Sequence, residues 1–186
     1  MGLHIRRATE NDALGIAKVH IQSWKETYAG IVSQEYLDSL NVEDRLKLWK
    51  TSLSQNPNGA PVFVALNNSE KIIGFASFGE ERTGELNADA ELYAIYILEK
   101  YKRGKLGTKL VLAGIEELLG KKFRSMLVWV LEENGSRKFY ENMHPQKAAV
   151  EVIKIGDREH VEIAYLWENL NLLRKNIISV SEKGIL

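Results

Sequence analysis

The sequence predicts an α/β domain in which helices are layered on a β-sheet. With 186 residues, the chain has the size of one domain and can bury a core without metal or disulfide staples. Hydrophobic residues make up 45% and charged residues 27%, as in an ordinary globular protein. The hydrophobic pattern then indicates a strand, helices, a hairpin-led set of strands, a strand–helix–strand–helix centre and two closing strands, which is typical of layered α/β domains.

The amino-terminal third is predicted to be mainly helical. Thr9 offers a capping hydroxyl with Asp12 three residues later, which predicts a helix start. Apolar and aromatic residues then recur at three- and four-residue spacing as far as Tyr28, so this helix has one apolar face. The predicted elements are a strand at 4–8, the helix after residue 12, helices at 33–40 and 43–53, and a break at 56–59.

The remaining two thirds alternate between strands and helices. The segment 91–98 is apolar at nearly every position after its first, which predicts a central strand covered on both faces. The segment after residue 169 packs on the body or on a second subunit, so we divide the chain into a domain at 1–169 and a tail at 170–186. The other predicted elements are strands at 62–66, 72–78, 125–131, 148–155 and 160–167, helices at 107–119 and 136–143, and a polar loop at 79–89.

The composition argues against several function classes. Lys and Arg number 25 against 25 Asp and Glu, so no net charge attracts nucleic acid or membranes. The absence of cysteine excludes thiol nucleophiles and disulfides. The four histidines show no ligand spacing, which predicts no metal. The amino terminus has no signal-peptide core and no apolar run of about 18 residues occurs, which predicts a cytoplasmic protein.

The start of the predicted helix at 107–119 is crowded with positive charge. Cations in a first helical turn each cost roughly a few tenths of a kcal/mol, so their concentration indicates that an anion binds there. Free N–H groups at a helix start, approached closely past glycines such as Gly104 and Gly107, form a phosphate cradle. The alternative is a solvated basic loop. The cations are Lys100, Lys102, Arg103, Lys105 and Lys109.

A nucleotide P-loop is excluded, because Lys109 is followed by Leu110 and not by Ser or Thr. Residues 92–110 instead resemble the acetyl-CoA motif of the GNAT N-acetyltransferase superfamily, in which a buried strand leads into Gln/Arg-x-x-Gly-x-Gly/Ala and a helix. Lys102 replaces the Gln or Arg, and Lys105 replaces the first glycine.

A later segment, 134–141, is similar to the family's Asn…Phe-Tyr-Glu helix, and the amino-terminal segments 5–12 and 24–30 also resemble the family. The resemblance covers about residues 3–168. It implies a mixed, mostly antiparallel seven-stranded sheet with helices on both faces, splayed between strands four and five. It also implies direct transfer of acetyl from acetyl-CoA to a primary amine, which we expect to be a small molecule such as a polyamine, amino acid or aminoglycoside.

The resemblance further implies which residues bind acetyl-CoA. The backbone of strand four would pair with the pantetheine arm, and a backbone N–H there would polarise the thioester carbonyl. The basic loop would bind the pyrophosphate, and an asparagine would hold the arm. The implied cofactor-binding residues are Ile95, Tyr96, Ile97, Lys102, Arg103, Gly104, Lys105, Leu106, Gly107, Thr108, Asn134 and Tyr140.

Two residues are candidates for proton transfer. Tyr140 resembles the family tyrosine that protonates the departing thiolate, although Phe139 and Tyr140 also suit plain helix aromatics. Glu91 lies eleven residues before Lys102, where the histone acetyltransferase branch places its base, although a strand-end carboxylate is the alternative. The strand-five position that holds a base in some members is Trp129.

Trp24 and Tyr28 share one helical face with His20 and are predicted to border the acceptor cleft, with core packing as the alternative. Two other function classes stay open at this point. A non-catalytic acyl-CoA-binding protein would keep the cofactor site without turnover, and a nucleic-acid binder would use the basic loop. The tail leaves a homodimer open.

Overall fold

The computed structural model describes residues 4–54 and 60–182, so the break predicted at 56–59 lies outside the described residues. The strands are β1 (His4–Arg7), β2 (Val62–Leu66), β3 (Ile72–Glu80), β4 (Ala90–Ile97), β5 (Met126–Leu131), β6 (Gln146–Ile155) and β7 (Arg158–Trp167). They form one sheet in the order β1-β2-β3-β4-β5-β7-β6. Every neighbouring pair is antiparallel except β4 and β5, which are parallel. The predicted mixed, mostly antiparallel sheet is therefore confirmed.

Helices cover both faces of the sheet. The helices of the described residues are α1 (Ala13–Tyr28), α2 (Gln34–Ser39), α3 (Val42–Ser54), α4 (Leu106–Gly120), α5 (Arg137–Glu141) and α6 (Leu170–Glu182). On one face, α1 and α3 bury Ile16 and Trp49 against Val64 and Phe75. On the other face, the apolar side of α4 packs against Phe78 and the neighbouring strands. The predicted layering is confirmed.

The central position of β4 is also confirmed. Leu92 faces the α4 layer, whereas Ala94 and Tyr96 face the α1 layer. The strand bulges between these positions, because Phe78 of β3 lies opposite Leu92 and Ser77 lies opposite Ala94. An apolar residue at nearly every position is what a strand with two covered faces requires.

Two segments differ from the predicted pattern. β3 continues through Gly79 to Glu80, inside the predicted loop, because Gly79 and Glu80 pair with the start of β4. The tail forms α6, whose Leu170, Leu173 and Ile177 join the core beside α4, so it packs on its own body. Along residues 4–54 and 60–182, no helix is both long and apolar enough to cross a membrane.

Candidate active site

The sheet opens between β4 and β5. These strands pair only at Ala90 with Met126 and at Glu91 with Leu127. Beyond those positions β4 stays paired with β3, and β5 with β7, but the two facing edges diverge. The backbone groups on the inner edge of β4 are therefore open to an extended ligand that pairs as a strand would.

Two contiguous cavities fill this opening. A small one of about 70 Å³ lies within the gap and is lined in part by Tyr28, Tyr96, Trp129 and Asn134. A larger one of about 600 Å³ lies at its mouth, a volume typical of ligand sites. Its lining residues are Ile95, Ile97, Glu99, Tyr101, Lys102, Arg103, Lys105, Leu106, Gly107, Thr108, Gly135, Ser136, Phe139, Tyr140 and Asn142.

The start of α4 forms a concave patch of backbone N–H groups on the large cavity. The Lys109 N–H donates to the Lys105 carbonyl at 3.1 Å, so the amides of residues 106–108 precede the first intrahelical bonds. Arg103 and Lys105 adopt the left-handed conformation, with φ of 64° and 60°. Left-handed residues next to right-handed ones point successive N–H groups to one side, an arrangement that binds anions.

The glycines of this loop have unequal roles. A Cβ on Gly107 would lie 3.2 Å from Phe139, so only glycine fits there without displacing the ring. A Cβ on Gly104 would make only an ordinary contact, 3.7 Å from the Tyr101 carbonyl oxygen, and the left-handed φ values fall on Arg103 and Lys105. Left-handed backbone favours glycine, which explains physically why a glycine suits the position of Lys105.

One cation of the loop already has an anionic partner. The Lys102 ammonium lies 2.7 Å from the carboxylate of Glu99, and the Lys102 side chain is only 29% exposed. Glu99 would therefore compete with a bound phosphate for the ammonium group of Lys102. Both residues line the large cavity.

Tyr140 lies where the two cavities meet. The residue is 7% exposed, and burial raises the pKa of its phenol well above the ordinary value. The nearby hydroxyl of Tyr28 raises that pKa further. Tyr140 is therefore a protonated phenol at neutral pH and can donate a proton into the gap.

Glu91 lies at the apex of the gap, where the strands begin to diverge. Its side chain is 2% exposed and is bound by the guanidinium of Arg82 through both oxygens, with 3.0 Å between Nε and Oε2. Arg82 also lies over the ring of Tyr93 at 4.9 Å. A second carboxylate, Glu162, lies near this pair, and burial together with the charge of Glu151 raises the pKa of Glu162.

Comparison with known proteins identifies the arrangement. A sequence model of the acetyltransferase (GNAT) family matches residues 17–144. The uncharacterized N-acetyltransferase YuaI of Bacillus subtilis (strain 168) is 39% identical over 170 residues, 91% of this chain and 95% of that protein. The chain belongs to the GNAT acetyltransferase family.

Similarity in sequence and in structure also extends to N-acetyltransferase from Thermoplasma acidophilum. The spermidine N(1)-acetyltransferase of that organism is 28% identical over 147 residues, 76% of this chain and 88% of that protein. The crystal structure of its PaiA N-acetyltransferase in complex with coenzyme A gives a TM-score of 0.64 at 24% identity and covers 88% of this chain and 98% of that one. At this identity the structural likeness shows the shared fold.

The predicted site residues are distributed unevenly in the acetyltransferase. Most of the predicted cofactor residues line the large cavity, whereas Tyr96 and Asn134 line the small one and Gly104 lines neither. Tyr28 lines the small cavity, but Trp24 and Glu91 line neither. In the described part of the chain, no group of three or more His, Asp or Glu side chains could hold a metal ion.

Several residues of the site were not predicted, and three of them contact predicted site residues. Phe139 packs against Gly107, and its place beside Tyr140 in the sequence was the available signal. Glu99 and Arg82 bind predicted site residues, but both are charged residues outside any recognised motif. The contact of Glu99 with Lys102 is local, since the two lie three residues apart, whereas the loop between β3 and β4 brings Arg82 to Glu91.

Proposed function

We propose that the acetyltransferase transfers acetyl from acetyl-CoA to a primary amine of a small molecule by direct attack in a ternary complex. One observation carries the proposal: the N–H groups at the start of α4 and the buried phenol of Tyr140 face the same cavity, at the open edge of β4. The comparisons support it, because a relative in sequence is named a spermidine N(1)-acetyltransferase and a structure of the same fold was crystallised with coenzyme A.

The residues present fit the cofactor. A pyrophosphate would accept hydrogen bonds from the amides of residues 106–108, with positive charge from Lys102, Arg103 and Lys105 nearby. The backbone of residues 95–97 would pair with the amides of the pantetheine arm. When bound, acetyl-CoA supplies an acetyl thioester, whose carbonyl a backbone N–H of β4 would polarise.

Tyr140 would act as the general acid. The departing thiolate needs a proton, and a phenol whose pKa is raised by burial holds one to donate at neutral pH. Its position between the two cavities places the phenol at the junction of the cofactor space and the gap.

The acceptor amine must lose a proton before it attacks, because a primary amine is mostly charged at neutral pH. Glu91 is the candidate base. Its oxygens are bound by Arg82 and almost fully buried, so the proton would reach Glu91 through water or after Arg82 moves. The acceptor would approach on the sheet face that carries Trp24 and Tyr28.

Release of free thiol from acetyl-CoA, measured with a panel of polyamines, amino acids and aminoglycosides, tests the proposal. We expect turnover with at least one amine, and an approximately 100-fold lower kcat in Tyr140→Phe with unchanged acetyl-CoA affinity. Tyr165→Phe is the matched control, because its hydroxyl contacts Glu141 at the same helix but does not line either cavity. Acetyl-CoA binding without thiol release for any amine would instead favour a non-catalytic acyl-CoA-binding protein.

A further inference from the structure

The hydroxyl of Tyr28 lies between the two diverging strands. Tyr28 ends α1 and is 9% exposed. Its side chain packs in one cluster with Tyr96 of β4, and the two phenols are close enough that each affects the pKa of the other. Its hydroxyl also accepts a hydrogen bond from Nδ2 of Asn134, which follows β5, at 3.5 Å. One phenol therefore contacts both sides of the gap.

Asn134 connects this contact to α5, the helix that carries Tyr140. The Asn134 Oδ1 accepts the backbone N–H of Ser136 at 2.8 Å, which leaves Nδ2 directed at Tyr28. Ser136 immediately precedes α5, and α5 carries Tyr140. Because Asn134 uses its oxygen on one partner and its nitrogen on the other, it couples the end of α1 to the start of α5.

The Tyr96 end is held as firmly. The Tyr96 ring stacks on the imidazole of His20, with 5.0 Å between centroids and 22° between planes. His20 is itself buried and accepts a hydrogen bond from Nε1 of Trp49 at 3.2 Å. The stacked Tyr96 ring is therefore a fixed surface on β4 against which Tyr28 packs.

We propose that Tyr28 is a positioning residue of acetyl transfer: its side chain packs with Tyr96 of β4 while its hydroxyl binds Asn134 of the β5–α5 connection, which holds Tyr140 at a set distance from the open edge of β4. This inference rests on the proposed function, since the distance matters only if Tyr140 protonates a group bound along β4. A displacement of about 1 Å at a reacting group can cost up to about 100-fold in rate.

The test compares Tyr28→Phe with Tyr36→Phe. Tyr36 belongs to the same aromatic cluster, 6.0 Å from Trp24, but its hydroxyl makes no hydrogen bond to any residue of the described chain. We expect Tyr28→Phe to lower kcat about 10-fold with both KM values within about threefold of wild type, and Tyr36→Phe to stay within about twofold. Equal kinetics in the two variants would overturn the proposal.

A denaturation cycle tests the contact of Tyr28 with Asn134 without activity. Asn134→Ala should change the unfolding equilibrium constant at least threefold less in the Tyr28→Phe background than in wild type, because the shared hydrogen bond is already lost. In the Tyr36→Phe background the effect of Asn134→Ala should be unchanged. Additive effects of Tyr28→Phe and Asn134→Ala would overturn this contact. Absence of thiol release in the wild type would overturn the proposed function, and the positioning role with it, even where the cycle shows coupling.

Discussion

The closed layer beneath α1 and the open gap beside β4 satisfy their polar groups in opposite ways. In the closed layer, His20 is surrounded by the rings of Trp49, Phe75 and Tyr96, and its Nδ1 accepts the indole N–H of Trp49. In the gap, the inner edge of β4 and the amides at the start of α4 face a cavity. Paired polar groups stabilise a fold, whereas groups left facing a cavity are available to a ligand. Variants of the closed layer should therefore mainly change stability, and variants of the gap should mainly change ligand binding.

The largest expected effect concerns the open region. Gly107→Val would place methyl groups against Phe139, where even a Cβ lies 3.2 Å from the ring. Overpacking of this kind costs roughly 1–3 kcal/mol, so we expect coenzyme A affinity, measured by calorimetry, to fall about 10- to 100-fold. Gly120→Val, in open space at the other end of α4, is the control. Equal affinities in both variants would show that the cradle does not bind the cofactor.

A smaller effect concerns the closed layer, where burial of His20 makes the stability of the fold depend on pH. Burial, and then the charge of Arg45, lowers the pKa of His20 from 6.5 to about 3. Between pH 6.5 and 3, His20 is therefore protonated in the unfolded chain but neutral in the folded chain. The contribution of His20 to stability is fully present above pH 6.5 and is lost as the pH falls towards 3. At pH 5 the loss attributable to this group is about 2 kcal/mol.

His20→Gln keeps an acceptor for the indole N–H of Trp49 but cannot titrate. Urea denaturation of the variant should show a shallower loss of stability between pH 7.5 and 5 than the wild type. An identical pH dependence in both proteins would contradict the assignment of this loss to His20.

The smallest effect concerns the ion pair at the mouth of the cavity. Glu99→Gln should free Lys102 for an incoming phosphate and raise coenzyme A affinity about twofold at low ionic strength, with the gain lost in high salt. Glu43→Gln removes the same charge from the exposed surface of α3 and serves as control. A gain shared by both variants, or one that survives high salt, would count against competition at Lys102.

The sequence-based prediction was most accurate where local pattern and tertiary packing agree. The strand at 62–66 was predicted with the observed bounds, because its apolar residues lie in a sheet flanked by turns. The boundary of β3 was wrong, because pairing with β4 extends that strand through Gly79 into a polar segment. The extension depends on pairing with the following strand, and this pairing leaves no periodic signal in either segment alone.

The sequence by itself determined the layered fold, the family and the basic helix start, because hydrophobic period, glycine placement and charge concentration are local properties. The tertiary structure decided that α6 covers α4 and that the Tyr28 hydroxyl meets Asn134, which follows β5 closely, across 106 positions of the chain. It also decided that the loop after β3 brings Arg82 to Glu91. These contacts depend on how strands and helices pack, and the Tyr28 contact depends on the divergence of two strands, which the residue pattern does not encode.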